Sequence, residues 1–187
     1  MASCCFLGYL YQGPPFRFGY QGLGEPLCWI AFGPFAYSAI LIALNPSNIY
    51  YEEIPWKVSL LLGSGPSLAT TLVLFCSHFH QISEDKKHGK NSPLVRLGAK
   101  KGSQFVPWII FTIYIFQLLT IFTGFIPVFC ILYLISLPQA IRLINLLKCS
   151  YKKPSAIKNS KFVAINFQTL NGFGLITGLI FNYLLKK

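Results

Sequence analysis

Residues 58–98 read VSLLLGSGPSLATTLVLFCSHFHQISEDKKHGKNSPLVRLG, and the fold follows from the break inside them. From Val58 to Ser83 there is no Asp, Glu, Lys or Arg; Glu84 and Asp85 then stand side by side, and Lys86, Lys87, Lys90 and Arg96 follow. A hydrocarbon layer of about 30 Å takes about 20 apolar residues to cross as a helix. The first part of the stretch is long enough, so the acidic pair stands where hydrocarbon gives way to water. Hard oxygen donors and cations occur together there, the groups that a metal-bound diphosphate requires.

Working outward, three further uncharged or nearly uncharged tracts are long enough to cross: Pro26 to Tyr51, Gly102 to Ile141, and Phe162 to Leu185. Hydrophobic residues make up 53% of the 187, charged ones 11%. Mean hydropathy is +0.53. That balance excludes an ordinary soluble domain and predicts an integral membrane protein. The Gly102 tract is too long for one span, and Thr123-Gly124, with Pro127 just beyond, divides it at a tight turn. The expectation is an all-α, multi-pass bundle of five transmembrane helices forming one membrane domain over 1–187. The spans are expected at about 27–44, 58–80, 105–122, 127–147 and 162–185. Met1 to Leu10 is apolar but too short to cross and reads as the tail of an earlier helix.

With five spans the connections alternate sides. Of the 16 Lys and Arg, only Lys57, Lys186 and Lys187 fall on one side. The others fall on the opposite side, which the positive-inside rule places on the cytoplasmic or equivalent face. The net charge of +11 is thus a topology signal. Nucleic acid is not an expected partner, because the basic residues are dispersed among loops of a membrane bundle. The lipid bilayer is. The six cysteines show no metal-type spacing and read as small hydrophobes.

The loop Tyr11-Gln-Gly-Pro-Pro-Phe-Arg-Phe-Gly-Tyr-Gln-Gly-Leu-Gly-Glu-Pro26 is rich in glycine and stiffened by proline. It holds Tyr11, Arg17, Tyr20 and Glu25. Arg17, a lone cation on the same face as the Glu84-Asp85 loop, is a candidate phosphate ligand, since guanidinium matches phosphate with two hydrogen bonds. If the second span continues as helix through the acidic pair, His78, Gln81 and Asp85 share one face. Asp85, Glu84 and the Gln81 carbonyl then form a candidate magnesium set, with phosphates and waters completing the shell. His78 and His80, two apart, point to roughly opposite sides of a helix and do not make a zinc pair. Lys90 and Arg96 follow, with Gly89 turning the chain and Asn91-Ser92-Pro93 breaking it.

Tyr11 to Pro26, and Ser77-His-Phe-His-Gln81 through Gly89-Lys90 and Ser92-Pro-Leu-Val-Arg-Leu-Gly98, resemble segments of the UbiA superfamily of membrane prenyltransferases. The nearest resemblance is to the branch acting on 1,4-dihydroxy-2-naphthoate in cyanobacteria and plastids. Both motifs occur in order, two spans apart, and the likeness covers essentially the whole chain. The five spans match the C-terminal five of that family's nine helices. The resemblance implies a magnesium-dependent transferase that ionises a phytyl or other prenyl diphosphate and lets an aromatic ring capture the cation. By carry-over Glu84 and Asp85 belong to the second acidic motif that holds magnesium. Arg17, Lys90 and Arg96 would hold diphosphate oxygens. Tyr11, Arg17 and Lys90 would take the catalytic positions over the site. Asn166, Gln168, Thr169 and Asn171 of the last span either face the cavity or pack, and Gly174 with Gly178, at small-xxx-small spacing, favours packing.

Two departures accompany the likeness. Gln81 and Ser83 stand where many members carry acids. The family's first Asn/Asp-rich motif has no counterpart before Tyr11, so the chain is expected to be a C-terminal portion: a fragment, a truncated reading frame, or one of two polypeptides with a separate N-terminal partner. The resemblance, with abundant Phe, Tyr, Ile, Lys and Asn, suits a plastid membrane (thylakoid or inner envelope) or a cyanobacterial one, basic loops stromal or cytoplasmic. Homogentisate or another phenol as acceptor, or a non-catalytic membrane protein or truncated remnant, are the alternatives.

Overall fold

The computed structural model describes residues 2–44 and 54–187. The connection expected between the first two spans, residues 45–53, lies outside the described residues. Helix α1 (Ala2–Gln12) is followed by α2 (Gly24–Leu44), α3 (Trp56–His78), the short α4 (Ile82–Lys87), α5 (Pro93–Phe122), α6 (Val128–Ser150), the single turn α7 (Pro154–Ile157) and α8 (Ser160–Leu185). Among the described residues there is no strand. Five helices, α2, α3, α5, α6 and α8, are long and apolar enough to cross a membrane, as the sequence predicts.

The main departure in length is α5, which starts at Pro93 rather than near 105. Proline suits the first helical turn because its missing N–H would have no partner there, and a kink at Gly98 (φ 75°) separates this first turn from the membrane segment. The core lies around α3. Leu72, Phe75 and Cys76 of α3 pack with Ile113 of α5, Leu143 of α6 and Phe167 of α8. Outward-facing Trp108, Phe111, Phe173 and Ile176 remain exposed, which suits lipid rather than water as their neighbour.

Helix α6 is not α-helical throughout. Val128–Ser136 winds as a 3-10 helix, in which residues three apart eclipse one another. Cys130, Tyr133 and Ser136 are its buried residues, and they recur at that spacing. They face α8, where a Cβ on Gly174 would fall on the backbone of Leu132 and Tyr133, and one on Gly178 would lie 2.5 Å from the backbone of Cys130. The packing role read for Gly174 and Gly178 is therefore what the structure shows. Polar groups beside this contact satisfy each other: Gln117 donates to Asn171 at 2.5 Å and Asn171 returns a bond at 3.1 Å. Tyr114 and Ser136 hydroxyls meet at 2.8 Å.

Overpacking a tight contact costs about 1–3 kcal/mol, so Gly178→Leu is expected to lower the thermal midpoint of the detergent-solubilised protein, whereas Gly172→Leu, with open space around its Cα, is not. Reporter fusions at Lys101 and Lys153 are expected on one side of the membrane and a fusion at Gly124 on the other. Finding Gly124 and Lys101 on the same side would overturn the topology.

Candidate functional site

Two loops meet where the apolar helices end. Residues 13–23 connect α1 to α2; residues 79–92, with α4 among them, connect α3 to α5. The Asn91 N–H donates to the Tyr20 carbonyl at 2.7 Å, and the Arg96 guanidinium donates to the Gln21 carbonyl at 2.5 Å. Gly22 sits between them with φ +80°, and a Cβ there would lie 2.6 Å from the Asn91 carbonyl oxygen. The close backbone approach requires glycine twice over, through conformation and through space.

The second span does not continue through the acidic pair. Helix α3 ends at His78, the chain turns through Phe79–Gln81, and α4 restarts with the Gln81 carbonyl accepting the Asp85 N–H at 2.7 Å. The shared helical face expected for His78, Gln81 and Asp85 is thus replaced by a turn. The restart sends Asp85 inward, 8% exposed, and leaves Glu84 outward and exposed. Gly89 turns the chain at φ 69°. Ser92, at the N-cap of α5, gives its hydroxyl to Asp85 Oδ2 at 3.0 Å instead of capping the helix.

A continuous line of polar contacts results. Glu25 Oε1 lies 3.1 Å from His78 Nδ1, His78 Nε2 lies 3.3 Å from Lys90 Nζ, and Lys90 Nζ lies 3.4 Å from Asp85 Oδ1. Glu25 is as buried as Asp85, and its Oε2 has no hydrogen-bond partner among the described residues. Of the residues singled out in the sequence, Lys90 and Asp85 are brought together and Arg96 is fastened to the first loop. Gln81 is half-buried at the start of α4. Arg17 is exposed, held at φ 42°, with its guanidinium 5.8 Å from the Tyr20 ring. It makes no hydrogen bond or ion pair with Asp85 or Lys90 among the described residues.

Tyr11 joins this polar line to an apolar cleft. Burial pushes its phenol up from the ordinary value, and the carboxylates of Glu25 and Asp85 act in the same direction; the hydroxyl stays a donor. The cleft, about 710 Å³, lies between α1, α2 and α3 and is lined by Tyr11, Leu27, Phe32, Val73 and Leu74, with Gln168 of α8 at its side. Gln168 donates to Thr70 at 2.7 Å. Of the polar groups in the last span, Gln168 therefore reaches the cleft, and Asn171 is engaged in packing.

The sequence reading named Glu25 in the first loop and His78 on a face with Asp85, but it gave neither of them, nor Ser92, a place among the candidate site residues. Glu25 carried a signal, being one of only five carboxylates and standing at the end of a span. The pairing of residues 53 apart carried none. Among the described residues no three of His, Cys, Asp and Glu converge into a metal cage. Magnesium needs no such cage, since it retains waters and is bound by one or two carboxylates with substrate phosphates. Asp85 fits that role in kind, since a carboxylate paired with Lys90 and Ser92 keeps free lone pairs, whereas exposed Glu84 points away from it.

The UbiA prenyltransferase family model matches residues 1–167. The chain belongs to that family of membrane prenyltransferases. It is 39% identical over 173 residues to the 2-carboxy-1,4-naphthoquinone phytyltransferase of Synechocystis sp. (strain ATCC 27184 / PCC 6803 / Kazusa), covering 92% of this chain and 54% of that protein. It is 40% identical over 182 residues to the chloroplastic 2-carboxy-1,4-naphthoquinone phytyltransferase of Arabidopsis thaliana, covering 96% and 47%. The chain spans about half the length of these curated relatives. No solved structure matches it.

Because the two loops close on Gly22, Gly22→Val is expected to separate them. A side chain forced to positive φ costs about 1–2 kcal/mol, which raises local opening about tenfold. Trypsin should then cleave after Lys86, Lys87 and Lys90 faster than in the parent, and an unchanged digestion rate would show that the loops do not depend on this contact.

Proposed function

We propose that the chain carries the second half of the active site of a magnesium-dependent aromatic prenyltransferase, which moves a phytyl or other prenyl group from its diphosphate to 1,4-dihydroxy-2-naphthoate. The observation that carries the reading is the ion pair of buried Asp85 with part-buried Lys90, together with Tyr11, which lines the apolar cleft and whose phenol is influenced by Asp85. An isoprenoid chain fits the cleft, and its diphosphate fits the charged end. In this reading Asp85, Glu84 and the Gln81 carbonyl hold magnesium, which when bound offsets the charge of the leaving diphosphate. Lys90 and Arg96 donate to diphosphate oxygens, and Arg17, from the first loop, reaches them from the other side. Tyr11 stands over the point where the cleft meets the charges.

The carbon–oxygen bond of the prenyl diphosphate breaks with its electron pair leaving on the diphosphate. The ring carbon bearing the carboxylate attacks the allylic cation, and carbon dioxide then departs, its bonding pair restoring the aromatic ring. The relatives' names give the acceptor as the quinone; 1,4-dihydroxy-2-naphthoate is its two-electron-reduced form. We assign the reduced form because a carbocation is captured by an electron-rich ring. Exclusion of water protects that cation, and preorganised cations stabilise the diphosphate as it leaves. The setting is a plastid or cyanobacterial membrane.

The test uses membranes containing this chain together with the N-terminal half of the cyanobacterial relative, supplied in cis or in trans. Magnesium-dependent transfer to 1,4-dihydroxy-2-naphthoate is expected, and no transfer from the chain by itself. Asp85→Asn is expected to lower turnover at least about tenfold, roughly 1.4 kcal/mol of barrier. Lys148→Gln, an exposed cation outside the loops, should leave it unchanged. Full activity of Asp85→Asn at limiting magnesium would remove the metal assignment.

A further inference from the structure

We propose that Glu25 and His78 are positioning residues that aim Lys90 at the diphosphate, an inference that rests on the reading of Lys90 above. The side chain of Lys90 is only 19% exposed, so its orientation depends on what it touches. An ammonium group has three N–H donors and no acceptor. Two of the three have acceptors here, His78 Nε2 at 3.3 Å and Asp85 Oδ1 at 3.4 Å. The third is left for a phosphate oxygen.

His78 accepts from Lys90 only if Nε2 carries no proton. A neutral imidazole has one donor nitrogen and one acceptor nitrogen, and the partner of one decides the other. Glu25 Oε1, an acceptor, lies 3.1 Å from Nδ1, so the ring proton belongs on Nδ1 and the lone pair on Nε2 faces Lys90. Reverse the tautomer, and an N–H would point at an ammonium. Glu25 thus sets the tautomer, His78 supplies the acceptor, and the lysine is held from two sides by α3 and by α4. His78 is 4% exposed and Glu25 8%, and the contacts given for their side chains are with each other and with Lys90. The unpartnered Glu25 Oε2 does not alter this, because the Nδ1 bond uses the other oxygen.

The test distinguishes a clamp on Lys90 from a structural role by replacing one ring nitrogen at a time. Glutamine at position 78 extends its amide oxygen to about where Nε2 stands and keeps an acceptor for Lys90; asparagine reaches only about as far as Nδ1. The readout is acetylation of Lys90 by acetic anhydride in the detergent-solubilised 187-residue chain, followed by peptide mass spectrometry. It is run with and without inorganic diphosphate and magnesium, with Lys148 as internal control. Diphosphate is expected to protect Lys90 in the parent and in His78→Gln. In His78→Asn half-protection should need about ten times more diphosphate, the loss of about 1.4 kcal/mol in binding.

If asparagine protects as well as glutamine does, the clamp is wrong. If the parent itself is not protected, the diphosphate reading of Lys90 fails and the clamp with it. Should His78→Asn not fold by circular dichroism, the double variant Glu25→Leu with His78→Leu removes both partners and leaves no unpaired buried carboxylate. It is expected to fold and to lose protection to the same degree, and full protection in it would equally overturn the clamp.

Discussion

Hydrocarbon offers no hydrogen-bond partner and little stabilisation to a charge, and the structure is arranged around that constraint. The chain has five carboxylates, and from Lys86 to Lys187 it has none. Of those among the described residues, Glu25 at the start of α2 and Asp85 on α4 are buried. A buried carboxylate without a partner costs several kcal/mol, so each can be accommodated only where another segment brings a donor to it. Glu25 of α2 finds His78 of α3, and Asp85 of α4 finds Lys90 and Ser92. Lys90 joins the two pairs, since its ammonium also lies 3.3 Å from His78 Nε2. The loops come together because the charges cannot be left alone.

That shared line has a chemical consequence at its inner edge. Tyr11 is close enough to Glu25 and Asp85 for their charges to act on its phenol, yet its ring lines the cleft with Leu27 and Phe32. Tyr11 thus belongs both to the apolar wall and to the neighbourhood of the charged groups. Electrostatic interactions are stronger in such a place than in water.

Span number and type were legible because run length and charge placement are one-dimensional properties, read directly from 58–83 and from the division of Lys and Arg. The turn at Gly124 and the break at Asn91-Ser92-Pro93 were legible for a related reason, since proline and glycine act locally. What failed was the extrapolation of helix α3 through Gln81. Nothing in Phe79-His-Gln81 forbids helix, and the turn appears where Asp85 is sent inward to Lys90 and Ser92, contacts no local rule anticipates. The 3-10 winding of Val128–Ser136 was hidden likewise, because its sequence is apolar all round and only the fit against Gly174 and Gly178 selects the spacing of three. Residue types singled out Lys90, Arg96 and Asp85 as candidates, while the contact of His78 with Glu25 appears only in the tertiary pairing.

Helix α3 shows how the cleft and the frame depend on one element. Thr70, Val73, Leu74 and Ser77 line the cleft, at the i, i+3, i+4 and i+7 spacing of one helical face. Ala69, Leu72, Phe75 and Cys76 lie in the core on another. Nearer its start, Gly65 lets the Gln117 side chain approach so closely that a Cβ would lie 2.7 Å from it, and Gln117 is locked to Asn171 of α8. Half of the most apolar stretch of α3 is buried, more than in any other spanning helix described. A helix held on so many sides has little freedom to slide or roll, since packed interiors transmit strain rather than absorb it. His78 is its last residue, so the imidazole inherits that rigidity although it stands at the edge of a loop. The polar line from Glu25 to Asp85 is thereby built on the best-anchored helix of the bundle, and a mobile lysine becomes a directed one.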